Sequence, residues 1–139
     1  MKIPFPRRGI VANHPITVLV IDDETHMRRL IGRMLQKAGF RVLEAGTGKQ
    51  TFALLSQPEN RPDVITCDIS MPDMDGFEIL EKIKADPELA DIPVIMLTAM
   101  GQVGDANRAK ELGATDYITK PFSAISFIEI LQHYVKNPS

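Results

Sequence analysis

The chain predicts an α/β fold, a single parallel sheet wound on both faces by helices. Three observations carry that prediction. Five short strand-like runs recur along the 139 residues, the first of them, Ile16 to Ile21, β-branched and apolar. Each is followed by a stretch in which apolar residues return at helical spacing. Four of the five runs end in polar residues that suit chemistry: Asp22-Asp23, Asp68, Thr98 and Lys120. Alternation of strand-like and helix-like segments indicates a parallel sheet with covered faces.

Taken in order, residues 1–15 hold Pro4, Pro6, Gly9 and Pro15 without any period, and predict a flexible or loosely docked arm. Residues 16–21 read Ile-Thr-Val-Leu-Val-Ile, a buried strand that ends in Asp22-Asp23-Glu24. Three adjacent carboxylates repel one another unless a cation or a helix N-terminus compensates. Helix capping accounts for one of them well, and a metal accounts for all three better. Met27, Leu30, Ile31, Met34, Leu35 and Ala38 share one helical face, and Gly39 is the stop. Phe40 to Ala45 is the second strand. Thr47 and Gln50 form a candidate capping box for a second helix, which fades before Pro58.

The run Pro62 to Cys67 reads as a third, fully buried strand that delivers Asp68 to its carboxyl end. Pro72 and Gly76 then break the backbone, and Asp75 caps the next helix with Glu78 three residues on. Phe77, Leu80 and Ile83 mark that helix, which ends at Asp86-Pro87. Val94 to Leu97 is the fourth strand, running into Thr98-Ala99. A fourth helix ends near Leu112-Gly113. Ala114 to Thr119 is the fifth strand, and Lys120-Pro121-Phe122 follows it. Ser123 caps a last helix with a core stripe of Ala124, Phe127, Ile128, Leu131 and Val135, while Ile125 and Ile130 lie toward its margins. Short loops and right-handed crossovers leave few ways to arrange five such units. The expected sheet order is 2-1-3-4-5, the flavodoxin-like (βα)5 order, with its switch point between strands 1 and 3.

Length fits one domain with a single core. The net charge of −2 supplies no general attraction for nucleic acid or an anionic membrane. Cys67 is the one cysteine, so an internal disulfide is excluded, and it reads as a small buried hydrophobe. No apolar stretch approaches the ~18 residues of a membrane span. Residues 1–15 lack an apolar signal-peptide core, so a cytoplasmic protein is expected.

In a parallel sheet the carboxyl ends of the strands share one edge, the edge where ligands bind. Three acids, Asp22, Asp23 and Asp68, then converge with the Thr98 hydroxyl and the Lys120 amine. Clustered carboxylates suit a hard divalent cation such as Mg²⁺, which prefers oxygen ligands and keeps waters for a phosphate. A lysine and a hydroxyl opposite it suit phosphoryl oxygens. Asp68 is left as a carboxylate that can act as a nucleophile toward phosphorus. The bland alternative is an aspartate that merely caps a loop.

These residues carry a family resemblance over Ile16 to Val135. The chain resembles the receiver domain of two-component response regulators, of the single-domain chemotaxis-regulator kind. The matching features are Asp22-Asp23 after strand 1, the stretch Asp68…Met71-Pro72…Asp75-Gly76, Thr98-Ala99, Lys120-Pro121-Phe122, and Tyr117 three residues before the lysine. Each motif is weak alone, but five in order at strand ends are specific. The resemblance implies that Asp68 accepts a phosphoryl group from a phosphohistidine on a sensor histidine kinase or phosphotransfer protein. It implies that Asp23 and Asp68 ligate Mg²⁺ directly, Asp22 acts mostly through water, and the main-chain carbonyl of Ser70 completes the protein ligands. Lys120 pairs with the phosphoryl group. Thr98 hydrogen-bonds it and passes the change to the switch residue Tyr117, and a downstream protein reads the face made by the fourth helix, the fifth strand and the last helix. Such a protein assists its own phosphorylation and dephosphorylation but is first a switch. Ser70 and Met100 occupy the positions that tune dephosphorylation in the family.

The expected organisation is an arm over residues 1–15 and a receiver domain over 16–136, with no output domain, as a monomer or weak dimer. Other classes fit less well. A haloacid-dehalogenase-like phosphatase needs a second acid two residues after the nucleophile, where Ser70 stands. A calcium loop starting at Asp68 would place Pro72 at a ligand position and Asp73 at the turn glycine. No nucleic-acid recognition module is visible. The remaining rival is a receiver-like scaffold that binds partners without being phosphorylated.

Overall fold

The computed structural model describes residues 10–11, 14–99 and 103–136. Five strands form one parallel sheet: β1 (Thr17–Ile21), β2 (Arg41–Ala45), β3 (Val64–Asp68), β4 (Val94–Ala99) and β5 (Asp116–Lys120). Their order is β2-β1-β3-β4-β5, with every pairing parallel, as the sequence predicts. Five helices join and cover them: α1 (Thr25–Lys37), α2 (Gly48–Leu55), α3 (Gly76–Ala85), α4 (Val103–Glu111) and α5 (Ala124–Lys136). Ahead of the sheet, Ile10–Val11 pairs antiparallel with His14–Pro15. The rest of the expected arm lies outside the described residues, as does Met100.

The three inner strands are buried along nearly their whole length, which explains their continuous apolar runs. Side chains alternate across the sheet and feed two cores. Leu19, Ile21, Ile65, Cys67 and Met96 meet α2, α3 and α4 on one face. Val18, Val20, Ile95 and Leu97 meet Ile31 and Leu35 of α1 and Phe127 and Leu131 of α5 on the other. Cys67 is fully buried, as expected, and burial pushes its thiol far above the usual range.

The caps form largely where the sequence places them. The Glu78 amide donates to Asp75 at 3.0 Å, the Gln50 amide to Thr47 Oγ1 at 3.0 Å, and the Ser126 amide to Ser123 Oγ at 3.1 Å. The Gln50 side chain reaches back to the Gly46 amide at 2.7 Å, one residue short of a standard capping box. Gly39 ends α1 with φ of 95°, a conformation that glycine adopts without penalty.

Three side chains depart from the expected pattern. Leu30 is 56% exposed, because it lies at the flank of the stripe centred on Ile31 and Leu35. Ala124 is exposed: it opens α5, one turn before the first fully buried residue, Phe127. Ile130, expected at the margin, is half-buried against the core, whereas Ile125 is 72% exposed.

Candidate metal and phosphoryl centre

The carboxyl ends of β1, β3, β4 and β5 bring the predicted residues to one edge. Asp22, Asp23 and Asp68 each offer an oxygen, and these oxygens lie within 4.8 Å of one another. Lys120 Nζ reaches between two of the acids, 3.4 Å from Asp68 Oδ2 and 3.6 Å from Asp22 Oδ2. Asp22 is fully buried. Its Oδ1 accepts the Glu24 amide at 2.9 Å, while its Oδ2 has no hydrogen-bond partner among the described residues. A buried carboxylate oxygen with only a distant ammonium opposite it is an unfinished site. Asp68 is partly exposed, and burial raises its carboxyl above the usual range, with Lys120 opposing the shift and Asp22 adding to it. Its Oδ1 receives a long 3.4 Å contact from the Ser70 amide.

Three carboxylates therefore face one ammonium. The donor set is hard oxygen, and the orphaned Asp22 Oδ2 marks where a cation or its bound water would be satisfied, so the residues fit Mg²⁺. Beside the acids opens a groove of about 510 Å³ lined by Asp23, Ser70, Met71, Pro72, Phe77 and Arg108. The Arg108 guanidinium lies 4.4 Å from the centre of the Phe77 ring and forms one wall.

Glu24 does not join the cluster. It is the N-cap of α1, accepting the His26 amide at 3.0 Å and the Met27 amide at 2.7 Å. The Met27 bond, then the His26 bond, lowers its carboxyl. The helix N-terminus, not a metal, thus compensates the third acid of the run. Thr98 is buried at the site's edge, with its hydroxyl turned to the Ala99 carbonyl at 3.5 Å. Tyr117 is 48% exposed on β5, and the neighbouring Asp116 accepts the Tyr134 hydroxyl at 2.8 Å.

The sequence reading missed two residues. Arg28 donates to the Asp22 carbonyl at 2.9 Å and to Glu44 at 3.1 Å, bracing the loop that carries Asp22 and Asp23. Asp73 accepts the Gly48 amide at 3.0 Å and the Lys49 amide at 3.2 Å, and the Gly48 bond leads in lowering its carboxyl. Gly76 closes the turn between β3 and α3 by donating to the Ile69 carbonyl at 2.8 Å. A Cβ there would strike the Asp68 carbonyl oxygen and come within 2.8 Å of Ile69 Cα, so only glycine fits.

Residues 18–132 match the family model described as the response regulator receiver domain. The chain belongs to that family. Among curated proteins, this receiver domain is 41% identical over 107 residues to the phosphate regulon transcriptional regulatory protein PhoB of Pseudomonas aeruginosa, covering 77% of this chain and 46% of that protein. It is 42% identical over 106 residues to the probable transcriptional regulator ycf27 of Guillardia theta, covering 76% of this chain and 40% of that protein. The chain thus spans less than half the length of these relatives. Among solved structures, the chemotaxis response regulator CheY4 of Vibrio cholerae superposes with a TM-score of 0.78 at 31% identity, over 85% of this chain and 97% of that one. A response regulator receiver domain protein from Clostridium thermocellum superposes with a TM-score of 0.79 at 30% identity, over 87% and 94%. Two-component signal transduction is the setting of this family, and Mg²⁺ binding at an acidic pocket is general in it. No helix among the described residues is long and apolar enough to cross a membrane.

If the acid cluster holds Mg²⁺, the cation stabilises the native state by mass action. Added Mg²⁺ is expected to raise the melting temperature. Asp23→Asn is expected to raise the metal-free melting temperature and shrink the Mg²⁺ response, read by thermal melts with and without the ion. An unchanged response would take Asp23 out of the ligand set.

Proposed function

We propose that this receiver domain is a phosphoryl switch with Asp68 as the acceptor. The observation that carries this reading is Lys120 Nζ set between Asp68 and Asp22 at 3.4 and 3.6 Å, with Asp23 completing the acid cluster. Asp22, Asp23, Asp68 and the main-chain carbonyl of Ser70 are the proposed Mg²⁺ ligands. Bound there, Mg²⁺ supplies positive charge for the phosphoryl oxygens.

Asp68 has the exposure a nucleophile needs and a strand end that holds it still. One of its oxygens attacks phosphorus in line, the P–N bond of a partner's phosphohistidine breaks, and the imidazole leaves with the bonding electron pair and takes up a proton. The product is an acyl phosphate on Asp68. Lys120 neutralises charge on the transferred group. Thr98 rotates from the Ala99 carbonyl to donate to a phosphoryl oxygen. Both donors stand on the β4–β5 side of Asp68, so the signal spreads toward α4, β5 and α5, where Tyr117 and Ile125 are exposed. The partners are a sensor histidine kinase or phosphotransfer protein upstream and a protein target at that face.

Incubation with Mg²⁺ and a small phosphodonor is expected to yield one acid- and base-labile acyl phosphate per chain, abolished by chelation. Beryllofluoride with Mg²⁺ is expected to alter hydrogen exchange between residues 103 and 135. Thr98→Ala is expected to retain slower labelling with a weakened exchange response. A chain that takes no label would be a scaffold instead, and changes confined to α1 and α2 would overturn the route through β5.

A further inference from the structure

The turn between β3 and α3 has a demanding task. It leaves the sheet at Asp68, presents Ser70 to the site, and returns at Gly76. Its two ends are fixed by the Gly76–Ile69 backbone bond and by the Asp75 cap on α3. Its middle is open: Ser70, Met71 and Pro72 line the groove beside the acids.

Among the described residues, the side-chain hydrogen bonds from the middle of this turn to another element come from Asp73. Its two oxygens accept from the amides of Gly48 and Lys49, the first two residues of α2. A helix leaves its first amides without internal partners, and Thr47 already caps the third, that of Gln50. The two caps divide the work, one local and one from 24 to 25 residues away. Met74 seals the same contact: its Cβ lies 2.8 Å from where a Cβ on Gly48 would be.

The loop from Ala45 to Lys49 carries no acid, yet it touches both loops that do. The Asp22 amide donates to the Ala45 carbonyl at 3.1 Å. Arg28, which holds the Asp22 carbonyl and Glu44, has its Nη1 3.0 Å from where a Gly46 Cβ would be. The spacing between Asp22-Asp23 and Asp68-Ser70 is therefore referred to one common support.

We propose that Asp73 is a positioning residue for the acid cluster, holding the β3–α3 turn against the N-terminus of α2 and thereby setting the site's affinity for a divalent cation. The inference rests on the reading of the cluster as a Mg²⁺ site. Residues that orient ligands commonly change metal affinity by about 10–100-fold when lost.

Titration of Mg²⁺ into the full chain by calorimetry tests it. Asp73→Ala is expected to weaken Mg²⁺ binding by about tenfold, and Asp73→Asn, which keeps an oxygen for one amide, is expected to recover part of that loss. Gly48→Ala leaves every acid in place but pushes on Met74, and it is expected to weaken binding too. Equal losses in Asp73→Ala and Asp73→Asn with none in Gly48→Ala would assign the effect to charge and overturn the proposal. So would a lower melting temperature in Asp73→Ala with a Mg²⁺ Kd within about twofold of wild type. A wild-type chain that binds no Mg²⁺ would overturn the cation site itself, and the positioning role with it.

Discussion

Asp68→Ala is expected to abolish acyl-phosphate formation with Mg²⁺ and a small phosphodonor while leaving the fold intact. No neighbour stands ready to replace the nucleophile. Asp22 is fully buried with one oxygen committed to the Glu24 amide, and the exposed Asp23 is taken up by the Mg²⁺ that labelling requires. Lys120 and Thr98 are donors, not nucleophiles toward phosphorus at neutral pH. The fold persists because Asp68 helps it little. Burial raises its carboxyl, so its charged form costs stability above that raised value and the cost fades as pH drops through it. Removing the carboxylate removes that cost at neutral pH, and Lys120 keeps Asp22 as a partner. The metal-free variant is therefore expected to melt no lower than wild type at neutral pH. Label counting and thermal melts check both halves, and labelling at the wild-type rate would strip Asp68 of its role.

Phe127→Ala is expected to be the most damaging single truncation for stability. The ring is fully buried and stacks on Phe122, with centroids 4.9 Å apart and planes 22° from parallel. Buried Phe→Ala changes cost about 3–5 kcal/mol, a large share of the roughly 5–15 kcal/mol that holds a domain folded. The melting temperature is expected to fall on the order of 10 °C. Phe122 lies two residues beyond Lys120, so the loss also loosens the loop that leads out of the site. Ile125→Ala serves as the control: that side chain is 72% exposed and its removal is expected to cost about 0.5 kcal/mol or less. Equal effects of the two would show that α5 does not dock through Phe127.

The two largest effects fall on residues that both stand plainly in the sequence, Asp68 at a strand tip and Phe127 in the core stripe of the last helix. Asp68 is legible because an apolar run that stops abruptly at an acid marks a strand tip, and strand tips of a parallel sheet share an edge. The same logic places Asp22, Asp23, Thr98 and Lys120, and it needs only local patterns plus the handedness of crossovers. The caps at Thr47, Asp75 and Ser123 are legible for a related reason: donor and acceptor lie three residues apart.

What escaped the sequence depends on distance along the chain or on neighbours. Leu30 carries the right residue type at the right spacing, but whether the flank of a helix is covered is decided by the elements beside it, and it remains 56% exposed. Ile130, also flanking, is half-buried. Glu24 could have been a ligand or a cap, and only the path of the backbone into α1 turns its carboxylate onto the His26 and Met27 amides. Asp73 has no local signal at all, since its amides lie 24 and 25 residues upstream. Hydrophobic period and strand-end chemistry are written in adjacent residues, so this chain by itself determined its sheet and the set of groups along one edge. The support beneath that edge joins loops remote in sequence, and only the folded packing of β2, α2 and the β3–α3 turn decided which side chain would provide it.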